Sequence, residues 1–193
     1  MKKIVFVFAF LLTISFQLNA QWVQTAGPYN GIVHCFELKD SNLFAGTYSG
    51  GIYRSTNNGT NWIEASIGLT NLSITDFTFQ GENLFASTYG GGIFRSTDYG
   101  SSWSPVNNGI IYKNINALAV IDTIIFAGAF DGGGIYRSTD NGLSWSYLKY
   151  GWTVALENNE TNLFASTYDG VFLSTDNGSN WVAINNGLPT GLV

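Results

Sequence analysis

Three aspartates at equivalent places in the sequence are the side chains best suited to acid–base chemistry. Asp98, Asp140 and Asp176 each stand third in an eight-residue motif that runs from a serine to a tryptophan. Two carboxylates can hydrolyse a glycosidic bond when they flank it about 5–10 Å apart. These three recur once per motif, at intervals of 42 and 36 residues, so a repeating fold would spread them out. Their spacing therefore favours a structural role over catalysis.

Other kinds of chemical site have little support. The chain has one histidine, His34, and one cysteine, Cys35; these are too few for a zinc site of the His/Cys type, and no Ser-His-Asp arrangement is recognisable. Cys35 lacks a disulfide partner, so we expect it to pack as a small hydrophobic residue. Asp131 and Asp169 lie in glycine-rich turns without the ligand density of a calcium loop. The sequence therefore predicts no catalytic residue, no metal site and no cofactor.

The eight-residue motif occurs four times and marks an internal repeat. Its copies begin at Ser55, Ser96, Ser138 and Ser174, at intervals of 41, 42 and 36 residues. A related apolar segment, N-L-F-A-S-T-Y in two of the units, precedes every copy. A period near 40 residues is typical of solenoids, propellers and repeat arrays.

Each repeat contains four short segments with strand character. In the second unit they are residues 74–79, 84–89, 92–97 and 103–106, each bounded by Gly, Asn, Asp or Ser. The consecutive apolar run Leu84-Phe85-Ala86 is typical of a strand covered on both faces, and no segment shows sustained helical periodicity. We therefore predict an all-β β-propeller of four-stranded antiparallel blades. The predicted blades lie approximately at residues 31–68, 72–109, 112–151 and 152–187.

The eight-residue motif resembles the Asp-box of the sialidase-like (BNR-repeat) and sortilin-like β-propellers. That box reads Ser or Thr, any residue, Asp, any residue, Gly, two residues and an aromatic; three copies match it, and the first has Asn57 for aspartate. The resemblance extends over residues 22–187 and implies a hairpin turn at the edge away from the ligand-binding face. The structural residues that it implies are Asn57, Asp98, Asp140, Asp176, Trp62, Trp103, Trp145 and Trp181.

The turn chemistry of the box agrees with that implication. We expect each carboxylate to accept hydrogen bonds from backbone N–H groups a residue or two further on. The box glycine permits a positive φ, and the tryptophan covers the turn with a large apolar ring.

Three arginines invite comparison with the sialidases of this family, which bind the substrate carboxylate with three arginines. Arg54, Arg95 and Arg137 all occupy the position just before the Asp-box, whereas a sialidase uses non-equivalent positions. The fourth unit has Leu173 there, and the early Phe/Tyr-Arg-Ile-Pro motif of sialidases is absent. We therefore predict ordinary strand residues with packed stems and solvated heads.

The first twenty residues have the pattern of an export signal. Lys2 and Lys3 precede an apolar stretch, and Leu18-Asn19-Ala20 supplies a cleavage site. The stretch is shorter than the roughly 18 residues that span a bilayer. A mature chain from Gln21 retains six basic against thirteen acidic residues, which disfavours nucleic acid and anionic lipid as partners. We expect a secreted or cell-surface protein without a membrane span after cleavage.

The repeat pattern also predicts an incomplete ring. Residues 22–27 match the fourth strand and exit of a unit, so the chain carries four blades plus one extra N-terminal strand. Residues 188–193 parallel residues 69–74, where an inner strand begins. We therefore expect further blades of a longer chain.

We expect any ligand site at the end of the blades that lies opposite the Asp-boxes. We call this opposite end the turn face. It holds the turns between second and third strands and the loops between blades. Aromatic rings beside polar groups there would suit stacking on sugars or peptide side chains, or would simply cover the blade ends. The candidates are Tyr48, Tyr89, Phe130, Tyr168, Asp131 and Asp169.

Two functions are consistent with these patterns. The favoured one is a secreted, non-catalytic binding or scaffold module whose ligand is a glycan or an extracellular protein. The alternative is the N-terminal part of a BNR-repeat glycoside hydrolase, sialidase-like or xyloglucanase-like, with catalytic residues beyond Val193. Fold alone does not decide between them.

Overall fold

The computed structural model describes residues 27–28 and 31–188, which form sixteen β-strands in four sheets. The first sheet contains β1 (Ile32–Lys39), β2 (Asn42–Tyr48), β3 (Gly51–Ser55) and β4 (Ile63–Glu64). The second contains β5 (Ile74–Gln80), β6 (Asn83–Thr88), β7 (Gly92–Ser96) and β8 (Ser104–Pro105). The third contains β9 (Ile115–Ile121), β10 (Ile124–Ala129), β11 (Gly134–Ser138) and β12 (Ser146–Lys149). The fourth contains β13 (Thr153–Asn158), β14 (Leu163–Thr167), β15 (Gly170–Ser174) and β16 (Val182–Ala183).

Each sheet is an antiparallel meander in which neighbouring strands follow one another in the sequence. We call the four sheets blades 1 to 4. The innermost strands β1, β5, β9 and β13 contact one another in that order, and they bring the blades side by side around an axis. The all-β propeller architecture predicted from the repeats is confirmed, and within the described residues the ring is not closed. The predicted export signal and residues 22–26 of the predicted extra strand lie outside the described residues.

The outermost strands are short: β4, β8 and β16 have two residues each, and β12 has four. β8 includes Pro105, which has no backbone N–H and is tolerated in a sheet at an edge. β7 is its one neighbour in blade 2. The remaining strands of blade 2 match the predicted segments to within a residue or two, because the Asn-, Gly- and Ser-containing turns fix their ends.

Adjacent blades are held together by a phenylalanine under a glycine. Phe44 on β2 is fully buried, and a Cβ placed on Gly100 in the next blade would lie 2.8 Å from its ring. The same contact joins Phe85 to Gly142, again at 2.8 Å. Blade packing at these two junctions therefore requires a residue without a side chain in the turn of the eight-residue motif.

Candidate functional site

The turns formed by the eight-residue motif, here called the boxes, are built around a buried serine. In blade 3, Ser138 Oγ donates to Asp140 Oδ1 at 2.8 Å and accepts from the Gly142 backbone N–H at 2.9 Å. Asn141 and Gly142 both have left-handed backbone conformations, with φ of 60° and 79°, which bring the Gly142 N–H back to the serine. The other three boxes repeat this Ser–Asp/Asn–Gly arrangement.

The aspartate binds further along the chain than the sequence predicted. Asp140 Oδ1 accepts from the Ser144 backbone N–H, four residues on, at 2.9 Å, because the left-handed pair curls the chain around the carboxylate. The hydroxyl and backbone N–H of Ser144 lower the pKa of Asp140. In blade 1, Asn57 Oδ1 accepts from the Asn61 N–H in the same way, at 2.9 Å. The three aspartates are thus each engaged within their own turn.

The arginines before the boxes connect neighbouring blades through backbone carbonyls, a contact that the sequence did not predict. Arg54 donates through Nη1 to the carbonyl of Tyr99 in the next box at 2.8 Å. Arg95 and Arg137 make the equivalent bonds to Asn141 and Asn177. Each guanidinium therefore serves a separate blade junction, so the three do not converge on one carboxylate.

The box tryptophans form a second link between blades. Trp103 Nε1 donates to the Ala65 carbonyl at 2.8 Å, and Trp145 Nε1 donates to the Val106 carbonyl at 2.8 Å. Trp181 differs, since its Nε1 donates to Gly178 in its own turn at 3.0 Å. The junction between blades 3 and 4 therefore lacks the indole-to-carbonyl link found at the two junctions before it.

The inner strands of all four blades line a groove of about 400 Å³ along the axis. Glu37, Asp76 and Glu157 face this groove. Burial raises the pKa of Asp76 to about 6, although backbone N–H groups of Leu118 and Phe77 donate to it at 2.7 and 2.8 Å. Burial, together with repulsion from Asp76, raises the pKa of Glu37 to about 7.

These inward acids were not predicted, because they lie outside the positions at which the four units have the same residue types. In the strand register, Asp76 pairs with Ser87 just after a bulge, where the other units have Cys35, Ala117 and Ala155. The sequence could have revealed Asp76, because it is an acidic residue at a position where the other units have small, uncharged residues. Asp76 Oδ2 bonds Leu118 across the junction, so this carboxylate ties blade 2 to blade 3.

The turn face carries a cluster of three aromatic rings at the junction of blades 3 and 4. Phe130, Trp152 and Tyr168 contact one another, with ring centroids 5.2–5.6 Å apart. Trp152 is 39% and Tyr168 is 42% exposed. We call these three residues the aromatic cluster. Its rings pack on one another and still present apolar surface to solvent.

Three more side chains border the aromatic cluster: Tyr150, Asp131 and Asp169. A Cβ placed on Gly132 would lie 3.2 Å from Trp152 Nε1 and 3.3 Å from the Tyr150 hydroxyl. Both hydrogen-bonding groups therefore lie over this turn. Asp131 beside it accepts from Asn114 Nδ2 at 2.6 Å, and Asp169 is an exposed residue in the turn next to Tyr168. Polar groups thus surround the exposed rings.

The structure brings together some of the predicted turn-face residues and separates others. Phe130 and Tyr168 belong to the aromatic cluster, with Asp131 and Asp169 in the adjoining turns. Tyr48 and Tyr89 are 53% and 45% exposed on blades 1 and 2, and no ring contact joins them to the cluster among the described residues.

Trp152 was not predicted, although the sequence held a signal for it. It occupies the position before the inner strand that Ser73 and Asn114 hold in blades 2 and 3, shown by the matching backbone bonds from Tyr168, Tyr89 and Phe130. It lies outside the Asp-box pattern, in the unit interval that is 36 residues long. A tryptophan outside the repeat pattern is therefore the marker of the cluster.

Cys35 is a poor nucleophile in this setting, because burial raises the pKa of its thiol to about 12. Among residues 31–188, no group of three His, Cys, Asp or Glu side chains is arranged to hold a metal ion. In the part of the chain that the structure describes, no helix could cross a membrane.

No protein-family profile and no curated protein matches the sequence. Solved structures do match. An ancestral GH74 enzyme superposes with a TM-score of 0.65 at 20% identity, covering 80% of this chain and 24% of that one. YCF48 bound to D1 peptide gives 0.67 at 17% identity, covering 89% and 61%. The extracellular domain of a proposed one component system from B. thetaiotaomicron gives 0.67 at 13% identity, covering 92% and 25%.

These similarities establish the fold. The chain spans about a quarter of the GH74 enzyme and of the extracellular domain, and under two thirds of YCF48. With four meander sheets joined in sequence around an axis, the chain has the architecture of a repeat β-propeller.

Proposed function

We propose that this chain is an extracytoplasmic, non-catalytic binding module whose ligand lies on the aromatic cluster of Phe130, Trp152 and Tyr168. The observation that carries the proposal is the cluster itself: mutually packed rings that remain about two fifths exposed at Trp152 and Tyr168. Rings fixed by one another lose little entropy when a ligand stacks on them. The export-signal pattern of residues 1–20 supports a location outside the cytoplasm.

The chemistry around the cluster suits a glycan or an extended peptide. Sugar C–H faces and peptide side chains stack on aromatic rings, while Asp131, Asp169 and the Tyr150 hydroxyl would bind hydroxyl or amide groups. Similarity to YCF48 bound to D1 peptide supports a peptide, and similarity to a GH74 enzyme supports a glycan. The common feature is a ligand with flat apolar faces and polar edges.

A glycan array and a peptide screen on the full chain would test this function. Trp152→Ala and Tyr168→Ala should each weaken binding of the best ligand by at least about tenfold, the effect expected for loss of a stacking anchor. Tyr89→Ala removes a turn-face tyrosine outside the cluster that is 45% exposed, close to the 42% of Tyr168, and serves as the matched control. Binding that survives both cluster variants and fails with the control would contradict this location.

A specific observation also favours a second candidate function, a glycoside hydrolase with carboxyl groups of this chain in its active site. Glu37 and Asp76 face the axial groove with pKa values raised to about 7 and about 6, and raised carboxyl pKa values are common at catalytic sites. Hydrolysis of xyloglucan by the full chain, lost in Glu37→Gln and retained in Trp152→Ala, would favour the enzyme. No hydrolysis together with glycan or peptide binding would favour the binding module.

A further inference from the structure

The turn between the second and third strands is covered differently in blades 2 and 3. In blade 2 the covering side chains are asparagines. A Cβ placed on Gly91 would lie 2.6 Å from Asn71, and one placed on Gly92 would clash with Asn107. Both amides also donate to backbone carbonyls of this turn. Blade 2 therefore closes its turn with polar groups.

In blade 3 the same turn, residues 132–134, is covered by aromatic side chains. A Cβ placed on Gly133 would lie 2.7 Å from Tyr112. One placed on Gly132 would lie 3.3 Å from the Tyr150 hydroxyl and 3.2 Å from Trp152 Nε1. Three aromatic residues thus stand where the repeat has asparagines around the preceding turn. The equivalent pairs are Asn71 and Tyr112, Asn108 and Tyr150, and Asn114 and Trp152.

The linker after blade 3 is four residues shorter than the linker after blade 2. Residues 110–114 join blades 2 and 3, whereas Trp152 alone stands between Gly151 and the first strand of blade 4. The Gly151 carbonyl accepts from the Gly134 N–H at 2.7 Å, so one residue closes the turn. Because so short a linker cannot fold over the rings, Tyr150 is 71% exposed.

Tyr147 extends the aromatic surface along β12. Its ring centroid lies 5.5 Å from that of the buried Tyr136, at an angle of 74°. Burial, followed by the phenols of Tyr136, Tyr112 and Tyr150, raises the pKa of Tyr147, so these side chains are neighbours. Tyr112 and Tyr147 are each 45% exposed. We call Tyr112, Tyr147 and Tyr150 the tyrosine patch; it belongs to blade 3, which has a described blade on either side.

The tyrosine patch and the aromatic cluster meet over Gly132. The Tyr150 hydroxyl and the Trp152 indole N–H both lie there, and neither bonds another described residue, so both can donate to a ligand. The neighbouring rings are steeply inclined, at 64° between Phe130 and Trp152 and 88° between Phe130 and Tyr168. Inclined rings leave grooves between their edges, with hydrogen-bond donors beside them.

We propose that this joint surface binds a proline-rich peptide segment in the polyproline II conformation. The inference rests on the proposed function, because it uses the aromatic cluster. Proline rings fill grooves between aromatic side chains, and the carbonyls of a polyproline II segment are free to accept hydrogen bonds because that helix has no internal ones. Tyr150 and Trp152 supply the donors.

The inclination of the rings favours a peptide over a glycan. A sugar chain stacks best on ring faces that lie parallel to its own rings. Within the aromatic cluster only Trp152 and Tyr168, inclined at 31°, approach that arrangement.

The charges beside the surface favour a peptide with basic residues. Asp131 and Asp169 are exposed in the adjoining turns, and the chain has eight basic against thirteen acidic residues. The exposed Lys113 follows Tyr112, so basic residues of the ligand should lie toward the two aspartates. Such a contribution to affinity is reduced by salt.

Calorimetric titration of the full chain with a decaproline peptide flanked by arginines would test the proposal. We expect saturable binding that Tyr150→Ala and Trp152→Ala each weaken by about tenfold. Tyr150→Phe, which keeps the ring and removes the donor, should weaken it by about threefold. Tyr48→Ala, at an exposed turn-face tyrosine of blade 1, is the matched control and should leave the affinity unchanged. Exchanging the flanking arginines for glutamates should weaken binding, and the difference should shrink in salt of about 0.5 M.

Other results would overturn the inference in distinguishable ways. Failure of decaproline to bind overturns it, and cellohexaose binding that Trp152→Ala abolishes would then leave the proposed function in place with a glycan as ligand. Decaproline binding that is unchanged in Tyr150→Ala would exclude the tyrosine patch. A glycine-serine peptide of equal length and charge that binds as tightly would show that the polyproline II conformation is not recognised. An unchanged melting temperature of Tyr150→Ala separates lost binding from lost folding.

Discussion

Replacing the box serine should destabilise the protein more than replacing the box aspartate. Ser138 is 1% exposed, and its hydroxyl is the acceptor for the buried Gly142 N–H. Ser138→Ala leaves that donor without a partner, at a cost of about 1–3 kcal/mol, and removes the bond to Asp140, worth about 1 kcal/mol. The expected loss of unfolding free energy is about 2–4 kcal/mol.

Asp140→Ala should lower the free energy of unfolding by less than Ser138→Ala does, although aspartate is the residue after which the box is named. The N–H and hydroxyl of Ser144 that it binds are exposed, so water replaces the carboxylate there. The main loss is the bond from the Ser138 hydroxyl, worth about 1 kcal/mol. Thr139→Ala, at the exposed position between the two, is the matched control and should change stability by less than about 0.5 kcal/mol.

Urea unfolding followed by tryptophan fluorescence would measure these differences, with the three variants and the parent protein at one pH and one concentration. The expected order of midpoints is Thr139→Ala highest, then Asp140→Ala, then Ser138→Ala. If Asp140→Ala unfolds at lower urea than Ser138→Ala, the buried serine is not the centre of the turn and the reasoning fails.

Two further predictions concern packing and charge. Gly142→Ala should lower the free energy of unfolding by about 1–3 kcal/mol more than Gly81→Ala. Both glycines have positive φ, but a Cβ on Gly142 would lie 2.8 Å from the Phe85 ring, whereas a Cβ on Gly81 would have no atom within 4 Å. Equal urea midpoints for the two variants would contradict this. Glu37 and Asp76, with folded-state pKa values raised to about 7 and about 6, should make stability fall as pH rises from about 4 to about 7, because the folded protein holds protons that the unfolded chain releases. Urea midpoints at pH 4.5, 6 and 8 would measure this slope; Glu37→Gln should flatten it, and a slope unchanged by that substitution would assign it to other groups.

The blades could be predicted from the sequence because the turn and strand patterns that define them are local and occur in every repeat. The eight-residue motif forms one hairpin turn per unit. Its Gly and Ser residues determine where the preceding strand, such as β7, ends and where the following strand, such as β8, begins. The contacts between blades were harder to predict. Arg54 and Trp103 each bond a residue about 40 positions away, and a strand pattern carries no information on such pairs.

The candidate site was predictable only in part for a related reason. Phe130 and Tyr168 stand at the same repeat position, so the pattern found them together with Tyr48 and Tyr89. What distinguishes the first pair is Trp152 between them, at a position where other units have polar residues. A comparison of the four units shows only the positions that they share. A site that depends on a residue present in one unit alone, such as Trp152, is therefore overlooked.

The missing indole link at Trp181 has a consequence for how the molecule opens. In a repeat protein, local unfolding begins where the coupling between neighbouring units is weakest. Trp103 and Trp145 each fasten their blade to the one before, whereas the Trp181 indole bonds its own turn. Backbone amides of blade 4 should therefore exchange with deuterium sooner than those of blades 2 and 3. The aromatic cluster spans this same junction. A ligand bound to it would therefore hold blades 3 and 4 together in place of the missing indole bond, and it would slow amide exchange in blade 4.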